Sequence, residues 1–448
     1  MEAQVFQHDT GSTGRAGSVA LMPVPPSTVE ETGLPFFFLL ELVAKHLFRG
    51  GPQRASELVA RVHLLPGVME SLLVFMRDER LIEVQARTRD ARDASNGAMI
   101  KDFTYVLSDL GRDRAGDAMA RCQYAGPAPV SLAHYVRQVA QQSFRDEPVT
   151  QEAVRRNFGG EVIRPGLLEQ FGAAMNSGRA MFVYGPPGAG KTYIAERLVG
   201  LMAGAVYIPY ALYVDGEVIQ VYDPLVHQPM GMATESKTRI ERRLAQDGRW
   251  VRCARPVVLN GGELSLSTLD LQFDSESRYY TAPPQVKANN GLLIIDDLGR
   301  HLSEPRVIMN RWIVPMDRQI DYLSLHTGVK FRVPFDLSLV FSTNLPPSSL
   351  ADEAFLRRLG YKIYVGYLDE ASYEDIFKRV CQEMGVLFTK AGLTYVLKRH
   401  EHEHKPLLAC IPRDLVGQVR DHAAYMGQTP ELEEGLLDWA WNNYFVHD

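Results

Sequence analysis

Apolar residues recur at helical spacing in two parts of the chain, one near each end. In the first part this spacing predicts three helices, over residues 34–48, 56–63 and 68–79. Two short β-prone runs, 81–85 and 102–107, follow them, and a further helix is expected from about Asp109. In the last part four helices are predicted, over residues 372–384, 391–400, 413–426 and 431–445. Between the two parts lie short, almost wholly apolar runs, which predict buried strands of an α/β sheet.

One of the central runs, 180–184, leads into Gly185-Pro-Pro-Gly188-Ala-Gly190-Lys191-Thr192, which fits the pattern G-x-x-x-x-G-K-[ST] in full. Residues 193–200 continue with apolar positions at helical spacing. A strand, a glycine loop and a helix in this order bring backbone N–H groups and a helix N-terminus around one anion. The pattern predicts a phosphate site in which Lys191 reaches the outer phosphates and the Thr192 hydroxyl binds Mg²⁺. The residues expected to line this site are Gly185, Pro186, Pro187, Gly188, Ala189, Gly190, Lys191, Thr192 and Tyr193.

A second central run, Gly291-Leu-Leu-Ile-Ile, ends in Asp296-Asp297. An apolar run that ends in acids is typical of a buried parallel strand whose carboxyl end carries catalytic groups. Asp296 is expected to hold Mg²⁺, directly or through water, and Asp297 to orient and deprotonate the attacking water. The alternative is a core strand followed by a solvated Asp-Asp turn. The complete phosphate loop upstream favours the catalytic interpretation.

Polar residues at three later positions are further candidates for the same site. Asn344 ends the apolar run 337–343 and is expected to bind the γ-phosphate or the water, although Asn is also a common turn former. Arg357 and Arg358 end a predicted helix over 352–359, where an arginine can reach a neighbouring subunit's nucleotide or simply be solvated. Arg413 lies in the first turn of a C-terminal helix and is expected to point back over the nucleotide.

The N-terminal pattern of three helices, two strands with a polar loop between them, and a closing helix resembles a winged helix. In DNA-binding versions the third helix enters the major groove. Here the third helix, 68–79, is mostly apolar. It contains as many acidic residues as the number of basic residues that a DNA-binding helix would be expected to have. Residues 34–122 contain 13 basic and 12 acidic side chains, which gives no clear phosphate-binding surface. A protein partner is therefore favoured over DNA for this part, and DNA stays open as the alternative.

Composition excludes several classes of protein. The 448 residues, 46% hydrophobic and 23% charged, suit two or three globular domains, and the net charge of −6 argues against coating of nucleic acid through bulk charge. The four cysteines show no zinc spacing, and His400-Glu-His402-Glu-His404 is interpreted as a solvated loop in preference to a metal site. No run approaches the roughly 18 apolar residues of a membrane span. We therefore expect a cytoplasmic protein without a membrane span.

Taken together, these motifs make residues 149–448 resemble an AAA+ ATPase. The matching positions are Walker A (185–192), Walker B (292–297), sensor 1 (Asn344), the arginine finger (Arg358, with Arg357 as the alternative) and sensor 2 (Arg413). The resemblance implies an α/β fold: a P-loop parallel sheet flanked by helices, a C-terminal four-helix lid and here a small N-terminal winged-helix-like domain. It also implies ATP and Mg²⁺ as cofactors, with ATP held between neighbouring subunits of a ring that is often hexameric.

Two features qualify the resemblance. Walker B ends in Asp-Asp where Asp-Glu is commonest, and the shorter carboxylate makes the water-activating role of Asp297 less secure. Two alternating segments, 210–222 around Asp-Gly and 322–333 around Thr-Gly, predict hairpins. The second is similar to the pre-sensor-1 hairpin of the magnesium-chelatase, MoxR-like and enhancer-binding-activator branch, where such hairpins face the ring pore. His326 and Lys330 would lie near its tip, as substrate contacts or as solvated turn residues.

The resulting hypothesis is an Mg²⁺-dependent ATPase that forms a ring and remodels a protein client recruited by its N-terminal domain. One alternative is an ATPase that acts on DNA through residues 34–125, and another is a nucleotide-gated scaffold with little turnover. The expected parts are a flexible tail (1–33), a winged-helix-like domain (34–125), a linker helix (126–148), the nucleotide-binding core with hairpin insertions (149–366) and a helical lid (367–448).

Overall fold

The computed structural model describes residues 22–85, 103–231, 246–301, 303–350 and 353–445. The loop predicted to form the wing and most of the predicted tail lie outside these residues. Residues 22–33, which the sequence assigned to that tail, contact the rest of the chain. The Asp247 N–H donates to the Pro23 carbonyl at 3.0 Å, and Thr32 is buried.

The N-terminal unit contains the three helices and the strand pair that its apolar spacing predicted. Its elements are α1 (Phe36–Gly50), β1 (Gln53–Arg54), α2 (Ala55–Val62), α3 (Pro66–Asp78), β2 (Ile82–Gln85), β3 (Thr104–Leu107) and α4 (Asp109–Arg121). β3 pairs antiparallel with both β1 and β2. The helices bury Leu39, Leu58 and Leu72 in one apolar core. β1 was not predicted because two residues are too few to show a periodic pattern.

The middle of the chain alternates helices and strands. In chain order these are β4 (Val130–Ser131), α5 (Leu132–Gln141), α6 (Gln151–Phe158), α7 (Pro165–Ser177), β5 (Met181–Tyr184), α8 (Lys191–Arg197), β6 (Val206–Pro209), β7 (Ala211–Val214), β8 (Glu217–Gln220), β9 (Trp250–Cys253), β10 (Val257–Asn260), β11 (Gln272–Asp274), β12 (Tyr279–Thr281), α9 (Pro284–Lys287), β13 (Leu292–Ile295), α10 (Pro305–Arg318), β14 (Ile320–Ser324), β15 (Lys330–Pro334), β16 (Ser338–Thr343), α11 (Pro347–Leu350), α12 (Glu353–Arg358) and β17 (Tyr361–Tyr364). These strands form two larger sheets and two strand pairs.

The main sheet has the strand order β10-β13-β16-β5-β17, and every neighbouring pair is parallel. Alternate residues of β13 enter different apolar cores, Leu292 and Ile294 on one face and Leu293 and Ile295 on the other. Helices cover both faces, which is why this strand is apolar throughout. The predicted fold class, a parallel sheet flanked by helices and followed by C-terminal helices, is confirmed. Because the strands are parallel, their carboxyl ends share one edge.

A second sheet has the order β11-β12-β8-β7-β4, and it packs against the N-terminal unit, since β7 and β8 contribute to the N-terminal core. β7 and β8 form the first predicted hairpin, with φ of +48° at Asp215 and +88° at Gly216 in its turn. β14 and β15 form the second. Both hairpin predictions are confirmed.

Four helices end the described chain: α13 (Glu370–Met384), α14 (Lys390–His402), α15 (Ile411–Met426) and α16 (Glu434–Tyr444). They enclose a separate apolar core that includes Phe377 and Trp441. The interpretation of residues 400–404 as a solvated loop was wrong for His400, because α14 continues to His402 and turns His400 inwards. Its ring nitrogens contact the Tyr373 hydroxyl at 2.9 Å and the Lys405 carbonyl at 3.0 Å.

The described residues contain neither a cluster of candidate metal ligands nor a single membrane-spanning helix. No group of three or more His, Cys, Asp or Glu side chains could hold a metal ion in this part of the chain. No single helix in it is long and apolar enough to cross a membrane. The bent pair α2 and α3, at 117°, reaches that length and composition together, and its apolar residues Leu58 and Leu72 are buried in the N-terminal core.

Candidate functional site

The glycine loop connects the carboxyl end of β5 to α8 with a backbone that requires glycine. Gly188 and Gly190 have φ of +77° and +89°, in the left-handed region. A side chain at Gly185 would collide with the Val365 carbonyl. Within the described ranges, the N–H groups of Gly188 and Gly190 donate to no acceptor. They are therefore available to an anion bound at the start of α8.

Lys191 points into this loop. Its side chain is buried, and Nζ donates to the carbonyls of Gly185 at 3.1 Å and Pro186 at 2.9 Å, and to Asn344 Oδ1 at 2.6 Å. Burial lowers the pKa of Lys191, and the carboxylates of Asp296 and Asp297 oppose that shift. The ammonium group thus lies within the glycine loop, held by two loop carbonyls and the Asn344 amide oxygen.

Thr192 and Asp296 meet at the edge of the sheet, where the Thr192 hydroxyl donates to Asp296 Oδ2 at 2.8 Å. Two backbone contacts position Asp296: its N–H donates to the Asn260 carbonyl at 2.8 Å, and its carbonyl contacts His301 Nε2 at 2.8 Å. A hydroxyl oxygen beside a carboxylate oxygen is the type of hard ligand pair that Mg²⁺ prefers. The residues present therefore fit the predicted metal. His301 had no sequence signal beyond lying five positions after Asp296.

Asn344 lies between Lys191 and Asp297. Its Oδ1 accepts from Lys191, and its Nδ2 donates to Asp297 Oδ1 at 3.1 Å. Asp297 has φ of +50° and is followed by Leu298, whose N–H donates to the Ser342 carbonyl of β16 at 2.9 Å. The turn after β13 is thereby attached to the strand that ends at Asn344. The structure brings Lys191, Thr192, Asp296, Asp297 and Asn344 together at one sheet edge, as the sequence predicted.

Arg357 and Arg358 lie at the other edge of the sheet. The chain leaves α12 and passes Gly360, whose N–H donates to the Ala180 carbonyl at the start of β5. Arg358 pairs with Asp317 at 3.1 Å, and both arginines line a cavity of about 250 Å³. Since the glycine loop follows the carboxyl end of β5, neither arginine joins the site of its own chain.

The C-terminal helices cover the glycine loop. The Cys410 N–H donates to the Gly188 carbonyl at 3.1 Å, so α15 begins directly over the loop. Arg413, in the first turn of α15, pairs with Glu383 of α13 at 2.9 Å and is well exposed. The structure thus places Arg413 on the lid near the loop, in contact with an acid and not with Lys191. The sequence had no signal for the Cys410 contact.

Glu161 joins the lid to the helix that follows the loop. It accepts from the Tyr193 hydroxyl at 2.8 Å and forms ion pairs with Arg197 at 3.0 Å and with Arg379 of α13 at 2.9 Å. Its side chain is only 9% exposed. Glu161 was not singled out from the sequence. Tyr193, predicted to line the phosphate site, directs its hydroxyl at this acid.

The second hairpin does not present His326 freely at its tip. The His326 ring packs on Phe273 at 4.6 Å between centroids, and Nδ1 contacts the Tyr280 hydroxyl. Lys330 is exposed. His326 therefore attaches the hairpin turn to β11 and β12, although its side chain, like that of Lys330, remains exposed.

Comparison with known proteins adds one sequence match. A family model described as a domain of unknown function (DUF8689) matches residues 369–443, which are the four C-terminal helices. This is a minor part of the chain, and its description states no activity. No curated protein is similar enough in sequence to count as a match.

Solved structures of similar shape were also found. RuvB of Thermotoga maritima, described as a Holliday junction branch migration motor, is 14% identical, with 68% of this chain and 74% of that chain covered and a TM-score of 0.36. NtrX from Brucella abortus in complex with ATP is 15% identical, with 69% and 63% covered and a TM-score of 0.38. Similarity this low carries no argument about activity, so the function has to be inferred from the residues of the site.

Proposed function

We propose that this chain binds ATP with Mg²⁺ and hydrolyses it. The observation that carries the proposal is the meeting of two sequence-distant motifs at one sheet edge, with Thr192 bonded to Asp296 and Lys191 connected through Asn344 to Asp297. The hydroxyl, ammonium, amide and carboxylate groups of these residues supply the positioning and the charge stabilisation that in-line attack of water on a phosphate needs.

Each residue has a role that follows from its position. The free N–H groups of Gly188 and Gly190 bind phosphate oxygens, and Lys191 exchanges the loop carbonyls for the outer phosphates. Asp297 orients a water and accepts its proton. Asn344, already bonded to Asp297, binds the γ-phosphate or that water. Thr192 and Asp296 would hold Mg²⁺, which neutralises charge on the phosphates when bound.

The roles of the arginines that lie outside the cluster at the carboxyl edge are assigned from their positions in the structure. Because Arg358 lies at the opposite sheet edge, we assign it to the nucleotide of a neighbouring copy in a ring, where it stabilises charge in the transition state. Arg357 is the alternative residue for this role. Arg413 is assigned to the nucleotide of its own chain, which requires it to leave Glu383 as the lid adjusts. Tyr193 is assigned to the nucleotide border next to Glu161.

A protein is the favoured client. The N-terminal unit exposes Phe37 and Val74, and the Phe37 ring packs edge-on against Phe75 with centroids 6.5 Å apart. An exposed apolar surface of this kind suits a protein partner better than the phosphates of DNA. This observation supports the proposal that the N-terminal unit recruits the protein that the ATPase remodels.

Steady-state ATP hydrolysis by the purified chain tests the core of this proposal. Lys191→Ala and Asp297→Asn should each lower kcat/KM about a hundredfold or more, because each removes a group that acts on the transferred phosphate or the water. Lys398→Ala, an exposed lysine of α14, is the matched control and should leave the rate unchanged. Normal turnover by Lys191→Ala would refute the assignment. Binding of ATP without turnover by the unaltered chain would favour the scaffold alternative.

A further inference from the structure

A second polar cleft lies between the N-terminal unit and the second sheet, away from the glycine loop. It consists of two adjoining cavities of about 270 and 380 Å³. Arg49, Tyr210 and the segment 125–127 line both of them, so they form one continuous cleft. The volume of each cavity is close to the lower limit for small-molecule sites, whose volumes are roughly 300–1,000 Å³.

One half of the cleft is cationic. Arg49 of α1, Arg61 of α2 and the imidazoles of His46 and His63 line it, and no acidic side chain does among the described residues. Both arginines are exposed, and neither forms an ion pair or side-chain hydrogen bond with any residue in the described ranges. The Arg61 guanidinium packs on the backbone of Gly50, directly beside Arg49, where an added Cβ would lie 2.8 Å from Nη1.

The surroundings of His46 also contain an excess of positive charge. His46 is buried, and its Nε2 contacts the Gly126 carbonyl at 3.0 Å. Burial lowers the pKa of His46 first, and Arg61, Arg49 and His63 lower it further. Protonation is thus opposed by neighbouring cations. Two unpaired guanidinium groups facing one cavity repel each other, and an anion between them removes that repulsion.

The other half of the cleft is aromatic. Tyr124, Tyr210 and Tyr279 line it together with the amide side chains of Gln123 and Gln220. The Tyr124 and Tyr279 rings meet edge-on with centroids 5.7 Å apart. Tyr210 lies at the boundary of the two halves, with its ring 5.3 Å from that of His63. Aromatic faces beside amide groups suit a planar heterocycle that also carries hydrogen-bonding edges.

We infer that this cleft binds a small nucleotide, with its phosphate between Arg49 and Arg61 and its base against Tyr210 and Tyr279. The site is separate from the proposed ATPase site, because it shares no residue with the glycine loop or with the strands that carry Asp296 and Asn344. It connects the N-terminal unit to the sheet that contains β7 and β8. Occupancy of the cleft therefore fixes how these two parts pack, independently of ATP at Lys191.

Calorimetric titration of the full chain carrying Lys191→Ala tests this inference without a working glycine loop. The probes are AMP, GMP, CMP and UMP, with inorganic phosphate and a single-stranded oligothymidylate for comparison. At least one monophosphate should bind at one molecule per chain, about tenfold or more tighter than phosphate, because the base adds stacking contacts. Arg49→Gln and Arg61→Gln should each weaken that binding about tenfold.

Two further variants separate the halves of the cleft. Tyr210→Leu should weaken nucleotide binding severalfold and leave phosphate binding unchanged. Arg112→Gln, an exposed arginine of α4 outside the cleft, is the matched control and should bind as before. Thermal unfolding of each variant confirms that it is folded. Three results would overturn the inference: no monophosphate binds, both arginine variants bind normally, or phosphate or the oligonucleotide binds as tightly as the best nucleotide. These results say nothing for or against ATP hydrolysis at Lys191.

Discussion

At the scale of single residues, Asn344 connects the two charged parts of the candidate site. It accepts a hydrogen bond from the Lys191 ammonium group and donates one to the Asp297 carboxylate. A short amide side chain offers a separate acceptor and donor without adding charge. The side chain thus connects the Lys191 ammonium group to the Asp297 carboxylate in a defined geometry.

Replacement of Asn344 tests this arrangement. Asn344→Ala should lower kcat for ATP hydrolysis about tenfold to a hundredfold, as expected for the loss of one or two hydrogen bonds to charged groups, with a smaller change in KM. Asn443→Ala, on the exposed side of α16, serves as the control. Steady-state kinetics measure both variants. An unchanged kcat would show that Asn344 only forms the turn after β16.

At the scale of elements, Glu161 joins α8, which follows the glycine loop, to α13 of the lid. One nearly buried carboxylate accepts from Tyr193 and Arg197 on α8 and from Arg379 on α13. The lid core and a core of the main sheet also meet at Leu408, which packs against both. The lid is therefore held over the loop by the Glu161 cluster, the Cys410–Gly188 hydrogen bond and this apolar contact.

Neutralising Glu161 should loosen the lid. Glu161→Gln removes the charge shared by two arginines, at a cost of about 1–3 kcal/mol. Amide hydrogen exchange over Glu370–Met384 should become faster, and KM for ATP should rise more than kcat falls. Glu374→Gln is the matched control, because among the described residues Glu374 forms an ion pair only with Lys378, one turn away on α13. Equal exchange in the two variants would contradict a lid contact through Glu161.

At the scale of the whole molecule, the two ends of the main sheet carry different halves of one proposed active site. The carboxyl edge holds Lys191, Thr192, Asp296, Asp297 and Asn344, while Arg358 lies with Asp317 at the opposite edge. A single chain cannot bring these groups together without breaking its sheet. If Arg358 is catalytic, the complete site forms only between two copies of the chain.

Mixing two inactive variants tests this requirement. Lys191→Ala lacks its own phosphate site but retains Arg358, and Arg358→Ala has the reverse defect. Each alone should be at least about tenfold less active than the unaltered chain, and an equimolar mixture should regain part of the activity through mixed assemblies. The same pair with Arg357→Ala identifies which arginine acts. A mixture no more active than the mean of its components would place both arginines outside catalysis.

The local chemistry of the site could be predicted from sequence because it depends on contiguous residues. Residues 185–192 need glycine at left-handed positions, and Gly291-Leu-Leu-Ile-Ile needs apolar side chains on both faces of a strand. Each requirement is met within a few neighbouring positions, so the strand, the loop, the helix and the aspartate pair that ends the second strand could all be predicted. The two hairpins were predicted for the same reason, since the Asp215-Gly216 turn and the alternation around it are local.

The sequence by itself therefore determined the glycine loop, the apolar strand ending in Asp296 and Asp297, and the parallel-sheet fold class. Only the tertiary structure decided that Lys191 bonds to the loop carbonyls, that Glu161 joins α8 to the lid, and that Arg49 and Arg61 line one cleft with Tyr210. The contacts of Glu161 with the lid and those that form the cleft join residues from distant segments. Their side chains are ordinary surface types with no periodic pattern, and only packing of whole elements brings such groups within bonding distance.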